Sequence, residues 1–269
     1  MHQVTLLLFL FIFSLNSYSD VSKITWARAH YPPYFIAQGK DIDQGIHDII
    51  RKELEKELTE YQHSLITLEN PRLFHFLTTK KKTYSKFFCV PGSPAPVHPN
   101  IIIGDLLFKL NGEGVALESN FAKKFEQGKS YSLVDIILHS KDLPIAFPDS
   151  KNNLSPDLVS TFEKYPDKFY KIPSVHPSKL FKMTAAKRIQ GGIVFPFTYS
   201  YYLKNNPQQK GKLSFINLKE TSLNTSIYIM CRKQKGIEKL LKRISEIVKT
   251  PRMQKIFKDQ LKKYDTSIK

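Results

Sequence analysis

Several signatures of enzyme chemistry are missing from this chain. Its eight histidines are scattered, and no HxxxH or HxH pair has a carboxylate beside it, so neither a structural nor a functional zinc site is expected. No GxSxG turn occurs; Ser93, in PGSPAP, reads as a turn residue or a ligand contact and not as a nucleophile. No Walker-type glycine loop and no GxGxxG is present, so nucleotide cofactors have no support and no cofactor is expected. Glu53 and Glu57 are spaced for one helix face, but Lys52 and Lys56 beside them make a solvated charge pattern, not an acid/base pair. A non-enzymatic protein is the expectation.

Acid is also in short supply: 24 Asp and Glu stand against 41 Lys and Arg, a formal net charge of +17. The excess is enriched from Lys233 to Lys269, where twelve Lys or Arg meet Glu238, Glu246, Asp259 and Asp265, a local net of +8. These basic residues alternate with apolar ones at helical spacing, the pattern of solvated helix faces. Attraction to anionic cell-wall polymers, lipid headgroups or nucleic acid is the sharper reading. Cysteine is nearly absent, with only Cys89 and Cys231, which from spacing alone are either a disulfide or two buried thiols.

One long apolar run is present, and only one. Val4 to Phe13, continuing to Leu15, is followed by small and polar residues at Ser17, Tyr18 and Ser19. This reads as a cleavable signal peptide over residues 1–19, although its only n-region side chain of basic type is His2. The run is shorter than the roughly 20 apolar residues of a membrane span. The remaining chain is expected to act outside the cytoplasm with no stable membrane span. Its 41% hydrophobic and 12% aromatic content suits an ordered protein, long enough for one large domain or two lobes.

Strand and helix signals alternate along the chain. Lys23 to Ala29 reads as a strand, followed by a loop holding Tyr31, Pro32, Pro33, Tyr34 and Phe35. Ile46, Ile49, Ile50, Leu54 and Leu58 then share one helical face. Asn70 and Pro71 predict a capped helix start. Strands are predicted at Lys86 to Val90, Leu143 to Phe147, Phe169 to Ile172, Gly192 to Phe195, Leu213 to Leu218 and Ile227 to Cys231. Helices are predicted from Ser155 to Lys164 and Pro177 to Ala186, through Tyr199 to Leu203, and twice at the C-terminal end, the last opened by Thr250 and Pro251. Such alternation favours mostly parallel sheets flanked by helices.

In this order, KITWARAHYPPYFI, the helix start GIHDII at Gly45, Ile46, Asp48, Ile49 and Ile50, the strand KFFCVPG, the segment IIIGDLLFKLNGEGVALE and the returning strand SIYIMCRK resemble the bacterial extracellular solute-binding proteins of family 3. The resemblance implies a two-lobed type II periplasmic binding fold, each lobe a mixed, mostly parallel sheet flanked by helices. Lobe one would be residues 20–108 and 219–269, and lobe two 109–218. It places Cys89 and Cys231 on neighbouring strands of lobe one and so favours a disulfide. It implies a monomer that binds a small polar solute for a membrane transporter or a sensor, with nucleic acid outside the expected partners.

The chain departs from that family where amino-acid ligands are held. The Thr-x-x-Arg stretch is replaced by SPAPVHPN, with no Arg to grip a carboxylate, and KRIQGGIVFPF lacks the acid that would take an ammonium group. These departures argue against an ordinary α-amino acid. The ligand residues the resemblance leaves are Tyr31 and Tyr34 after the first strand, Arg72 at a helix start, Ser93 and Ser150 after strand ends, and Phe195 and Tyr199 around a turn in lobe two. All but Ser150 have a plainer reading: packing around a Pro-Pro turn for the two tyrosines, a surface first-turn residue for Arg72, a turn residue for Ser93, and core for Phe195 and Tyr199.

Overall fold

The computed structural model describes residues 22–79, 86–92, 98–110, 112–140, 142–148, 155–172, 177–221 and 225–264. The expected signal segment, Ser93 and Ser150 lie outside the described residues.

The first sheet is built on β1 (Lys23–Arg28), whose side chains are buried from Ile24 onward because helices cover both of its faces. The next helix, α1 (Ile46–Glu57), buries Ile46, Ile50 and Leu54, the stripe its spacing predicts. The chain continues through β2 (Gln62–Thr67), α2 (Asn70–Thr78), β3 (Phe87–Gly92) and β4 (Ile101–Leu110). β11 (Thr225–Arg232) returns late in the chain and inserts between β3 and β4, giving the order β2-β1-β3-β11-β4. The closing helices α8 (Ile237–Val248) and α9 (Pro251–Tyr264) pack their apolar faces on this core. Thr250 accepts from the Met253 N–H and opens α9 as its sequence predicts. At α2 the predicted cap is displaced: the helix begins at Asn70, with Glu69 in the capping position and no side-chain cap bond.

The second sheet is formed by β5 (Gly114–Glu118), β6 (Ser130–Tyr131), β7 (Ile145–Pro148), β8 (Phe169–Ile172), β9 (Gly191–Val194) and β10 (Leu213–Leu218), in the order β6-β10-β5-β9-β7-β8. Its helices are the one-turn α3 (Ser119–Ala122), then α4 (Leu133–His139), α5 (Pro156–Lys164), α6 (Pro177–Ala185) and α7 (Pro196–Asn205). Side-chain caps start three of them: Glu118 accepts from Phe121 on α3, Ser132 and Asp135 form a capping box on α4, and Ser155 accepts from Leu158 on α5. One face of the sheet buries a phenylalanine stack, with Phe162 4.2 Å from Phe147 and 4.6 Å from Phe169. Both sheets are mixed. Parallel pairing joins β2-β1-β3, β10-β6 and β9-β7-β8, while β3-β11-β4 and β10-β5-β9 run antiparallel.

The chain passes from the first sheet to the second between Leu110 and Gly114 and returns between Leu218 and Thr225. β4 runs on to Leu110. The two passages touch: the Thr221 hydroxyl donates to the Glu113 carbonyl, and a Cβ on Gly112 would collide with the Thr221 backbone. Only glycine allows that approach. Cys89 and Cys231 face each other across β3 and β11 with Cα atoms 4.1 Å apart and are bonded. Among the described residues, no helix is long and apolar enough to cross a membrane.

Candidate functional site: an aromatic cluster between the lobes

The loop after β1 is clamped to the start of α1 by backbone and charge. Gly45, the N-cap of α1, has no side chain with which to satisfy the first amide groups of the helix. The loop supplies the acceptors instead: the Ile46 N–H donates to the Pro33 carbonyl at 2.9 Å and the His47 N–H to the Tyr34 carbonyl at 2.8 Å. A Cβ on residue 45 would lie 2.5 Å from the Tyr34 oxygen and 2.8 Å from Asp48 Oδ2, so the clamp requires glycine. Asp48, fully buried, accepts from the Ile36 N–H at 2.8 Å through one oxygen and from Arg28 Nη1 at 2.8 Å through the other. Arg28 also pairs with Asp43 and donates through Nε to Thr67 at 3.1 Å. The Asp of the helix start therefore holds the loop in place from beneath.

What the clamp presents is an aromatic surface. Tyr31 and Tyr34 stack with ring centroids 5.8 Å apart, and Phe195 of the second lobe meets Tyr34 edge-on at 5.9 Å. Behind them His47 stacks on Phe35 at 4.7 Å and lies 5.7 Å from both Tyr34 and Phe108. Burial drives its pKa down to about 3, and its Nδ1 has no hydrogen-bond partner, so the ring is a neutral packing element.

Four polar groups converge on the same place: Tyr31, Tyr34, Glu113 and Thr198. Burial first, and the Glu113 charge second, push the Tyr31 phenol up to about 12; Tyr34 is raised well above its ordinary value by burial, by Tyr31 and by Glu113. Tyr31 is half-buried as a residue, but its hydroxyl end is enclosed. Glu113, 7% exposed in the passage between the lobes, is itself raised by burial, with its own backbone N–H opposing the shift. Thr198 lies near enough to both phenols to temper their shifts, yet its hydroxyl and that of Tyr34 are buried without a hydrogen bond of good geometry.

Helix α7 carries the second lobe's share of this contact. Phe197 and Tyr201, four residues apart, turn toward the first lobe: Phe197 joins its core, and Tyr201 donates to Asp41 at 3.3 Å and faces the Tyr264 ring at 6.2 Å. Tyr199 and Tyr202 occupy the opposite side and pack in the core of the second lobe.

The structure thus brings together Tyr31, Tyr34 and Phe195 of the residues named from sequence. Tyr199 stands apart, its hydroxyl donated to the Leu213 carbonyl at 2.9 Å and its ring against Phe181 and Phe215. Arg72 is exposed in the first turn of α2. Glu113, Thr198 and Phe197 were not singled out from sequence; Glu113 sits between two glycines and reads as turn. Among the described residues, no group of His, Cys, Asp and Glu could hold a metal ion.

No protein-family model and no curated protein sequence matches the chain. Solved structures do. The substrate-binding protein of an amino acid ABC transporter superposes with a TM-score of 0.61 at 14% identity, over 90% of this chain and 98% of that one. A histidine kinase sensor domain with similarity to periplasmic binding proteins gives 0.65 at 12%, over 91% and 96%. A Salmonella typhimurium periplasmic binding protein with high arginine specificity gives 0.61 at 12%, over 88% and 97%. The fold is the two-lobed, type II periplasmic binding protein-like fold. The neighbours that share it are binding proteins of transport and sensing.

Proposed function

We propose that the chain is an extracytoplasmic, non-enzymatic solute-binding protein whose two lobes close on a small polar ligand, for delivery to a membrane transporter or presentation to a sensor. Lobe one comprises residues 20–108 with 219–269, and lobe two comprises 109–218. The observation that carries the reading is the cluster of Tyr31, Tyr34 and Phe195, assembled from both lobes beside the passages that connect them. In open α/β sheets ligands settle beyond the carboxyl ends of strands, and the Tyr31 loop directly follows β1. Two connecting passages in contact make a natural hinge. The Cys89–Cys231 bond fits an oxidising compartment and supports export by a signal segment at residues 1–19.

The test is calorimetric titration of the purified protein with a broad metabolite panel, paired with small-angle scattering. A binding solute should reduce the radius of gyration. The single tryptophan would be a poor reporter, because Trp26 is wholly buried in lobe one with its ring N–H donated to His63 at 3.2 Å. A second reading, a receptor fold that no longer opens and meets anionic envelope components through its basic surface, draws support from Phe197 seated in the core of lobe one. Salt-sensitive binding to anionic vesicles with no solute heat and no compaction would favour it.

A further inference from the structure

The acid that the resemblance would place on a strand of lobe two is missing, but a different acid stands beside the aromatic cluster: Gly114 pairs with Val194 across β5 and β9, so Glu113 comes next in register to Phe195. Glu113 is set in the passage between the lobes, where the contact of Gly112 with Thr221 and the Thr221 bond to its own carbonyl fix its backbone. Its side chain is buried, and among the described residues it forms no ion pair. An unpaired carboxylate out of water is expensive to keep, and a buried cluster of this kind where two lobes meet points to a ligand. A second, independent observation points the same way: the hydroxyls of Tyr34 and Thr198, both buried, lie near each other yet form no hydrogen bond of good geometry.

We infer that Glu113 is the ligand-facing acid of the cleft, and that the ligand presents to it a cationic nitrogen, an ammonium or alkylated ammonium, against the wall formed by Tyr31, Tyr34 and Phe195. The chemistry is complementary on both sides. The π-faces of the rings attract a cation, most strongly where water is excluded, and the carboxylate supplies the opposite charge. The hydroxyls of Tyr34 and Thr198, which lack a hydrogen bond of good geometry, would bond polar atoms elsewhere on the ligand. The site so built lacks an Arg for a carboxylate, in keeping with an amine that is not an α-amino acid.

This inference rests on the solute-binding reading, and the experiment separates the two. Tetramethylammonium and n-butylammonium are titrated into the wild-type protein and into Glu113→Gln and Glu113→Asp, beside neutral tert-butanol, anionic pivalate and the metabolite panel. The expected result is binding of the cations at least tenfold tighter than of the neutral and anionic probes, lost by tenfold or more in Glu113→Gln and partly kept in Glu113→Asp. Glu113→Gln should also melt at a higher temperature than wild type at neutral pH, because it removes a buried unpaired charge; a lower melting temperature would assign Glu113 a structural role and overturn the inference. Solutes that bind with equal affinity to wild type and Glu113→Gln, or a preference for neutral or anionic ones, would overturn it while leaving solute binding intact. No heat from any probe or metabolite in any of the three proteins would overturn both.

Discussion

Replacing Asp48 by Asn should loosen the very loop that carries Tyr31 and Tyr34. Asp48 is fully buried and Arg28 is 5% exposed, so their 2.8 Å contact is an ion pair shielded from water. Removing one partner of a buried pair costs about 3–5 kcal/mol, because the other charge is left without compensation. Two features place this case at the lower end: Asp43 still pairs with the same guanidinium from a side chain 36% exposed, and Asn retains an oxygen for the Ile36 N–H. The expected loss is therefore about 3 kcal/mol, or roughly 6–12 °C in Tm for a chain of this size. Urea denaturation of wild type and Asp48→Asn measures it directly. The double variant Arg28→Met with Asp48→Asn should be more stable than Asp48→Asn alone, since it removes a buried guanidinium left with only the partly exposed Asp43 as its ion-pair partner. A loss below about 0.5 kcal/mol, within the range of surface substitutions, or a double variant worse than the single by the full cost of Arg28→Met, would refute the argument.

The remaining predictions concern the disulfide and the buried histidine. Cys89 and Cys231 are 142 residues apart, so their bond removes chain entropy worth up to about 5 kcal/mol from the unfolded state; replacing both by Ala should lower urea stability by roughly 2–5 kcal/mol, and an unchanged midpoint would show that no bond forms. His47 stays neutral in the fold down to a pKa of about 3, while the unfolded imidazole protonates near 6.5, so the unfolded chain takes up the proton first as the pH falls. This contribution is intact above pH 6.5 and is lost progressively toward pH 3, amounting to about 2 kcal/mol at pH 5. His47→Phe, which keeps a ring against Phe35, should lose about that much less stability than wild type between pH 7.5 and pH 5; parallel melting curves would exclude the assignment.

Long amphipathic helices such as α1, α8 and α9 were legible in the sequence because burial on one side of a long helix imposes a period that many residues report together. Four-residue β8 and six-residue β10 have the spans their composition predicts, and Ser155 and Thr250 cap helices through purely local bonds. α4, seven residues long, is too short to show a stripe, and its start is held by the local Ser132 and Asp135 capping box and by the Leu133 N–H donating to Glu220 at 2.7 Å, a partner far away in the chain. Asn70 shows the limit of local chemistry: a good capping residue became the first residue of α2, and Glu69 took the cap position without a side-chain bond. α7 shows another. Its aromatic residues mark a helix, but which ring serves which lobe depends on both lobes being present, with Phe197 and Tyr201 on one side and Tyr199 on the other.

By itself the sequence determined the alternation of strands and helices, the two-lobed class through the order of its motifs, and the loop in which Tyr31 and Tyr34 stand. These depend on periodicity and on neighbours a few residues apart, which a linear chain displays. Tertiary structure decided that Cys231 lies opposite Cys89, that Asp48 reaches Arg28, and that Phe195, Thr198 and Glu113 gather around the two tyrosines. Glu113 is one acid among 24, and nothing local sets it apart. It becomes a candidate only when the passage between the lobes removes it from water and the fold places no cation beside it among the described residues, because the energy of a charge depends on its surroundings in space and not on its position in the chain.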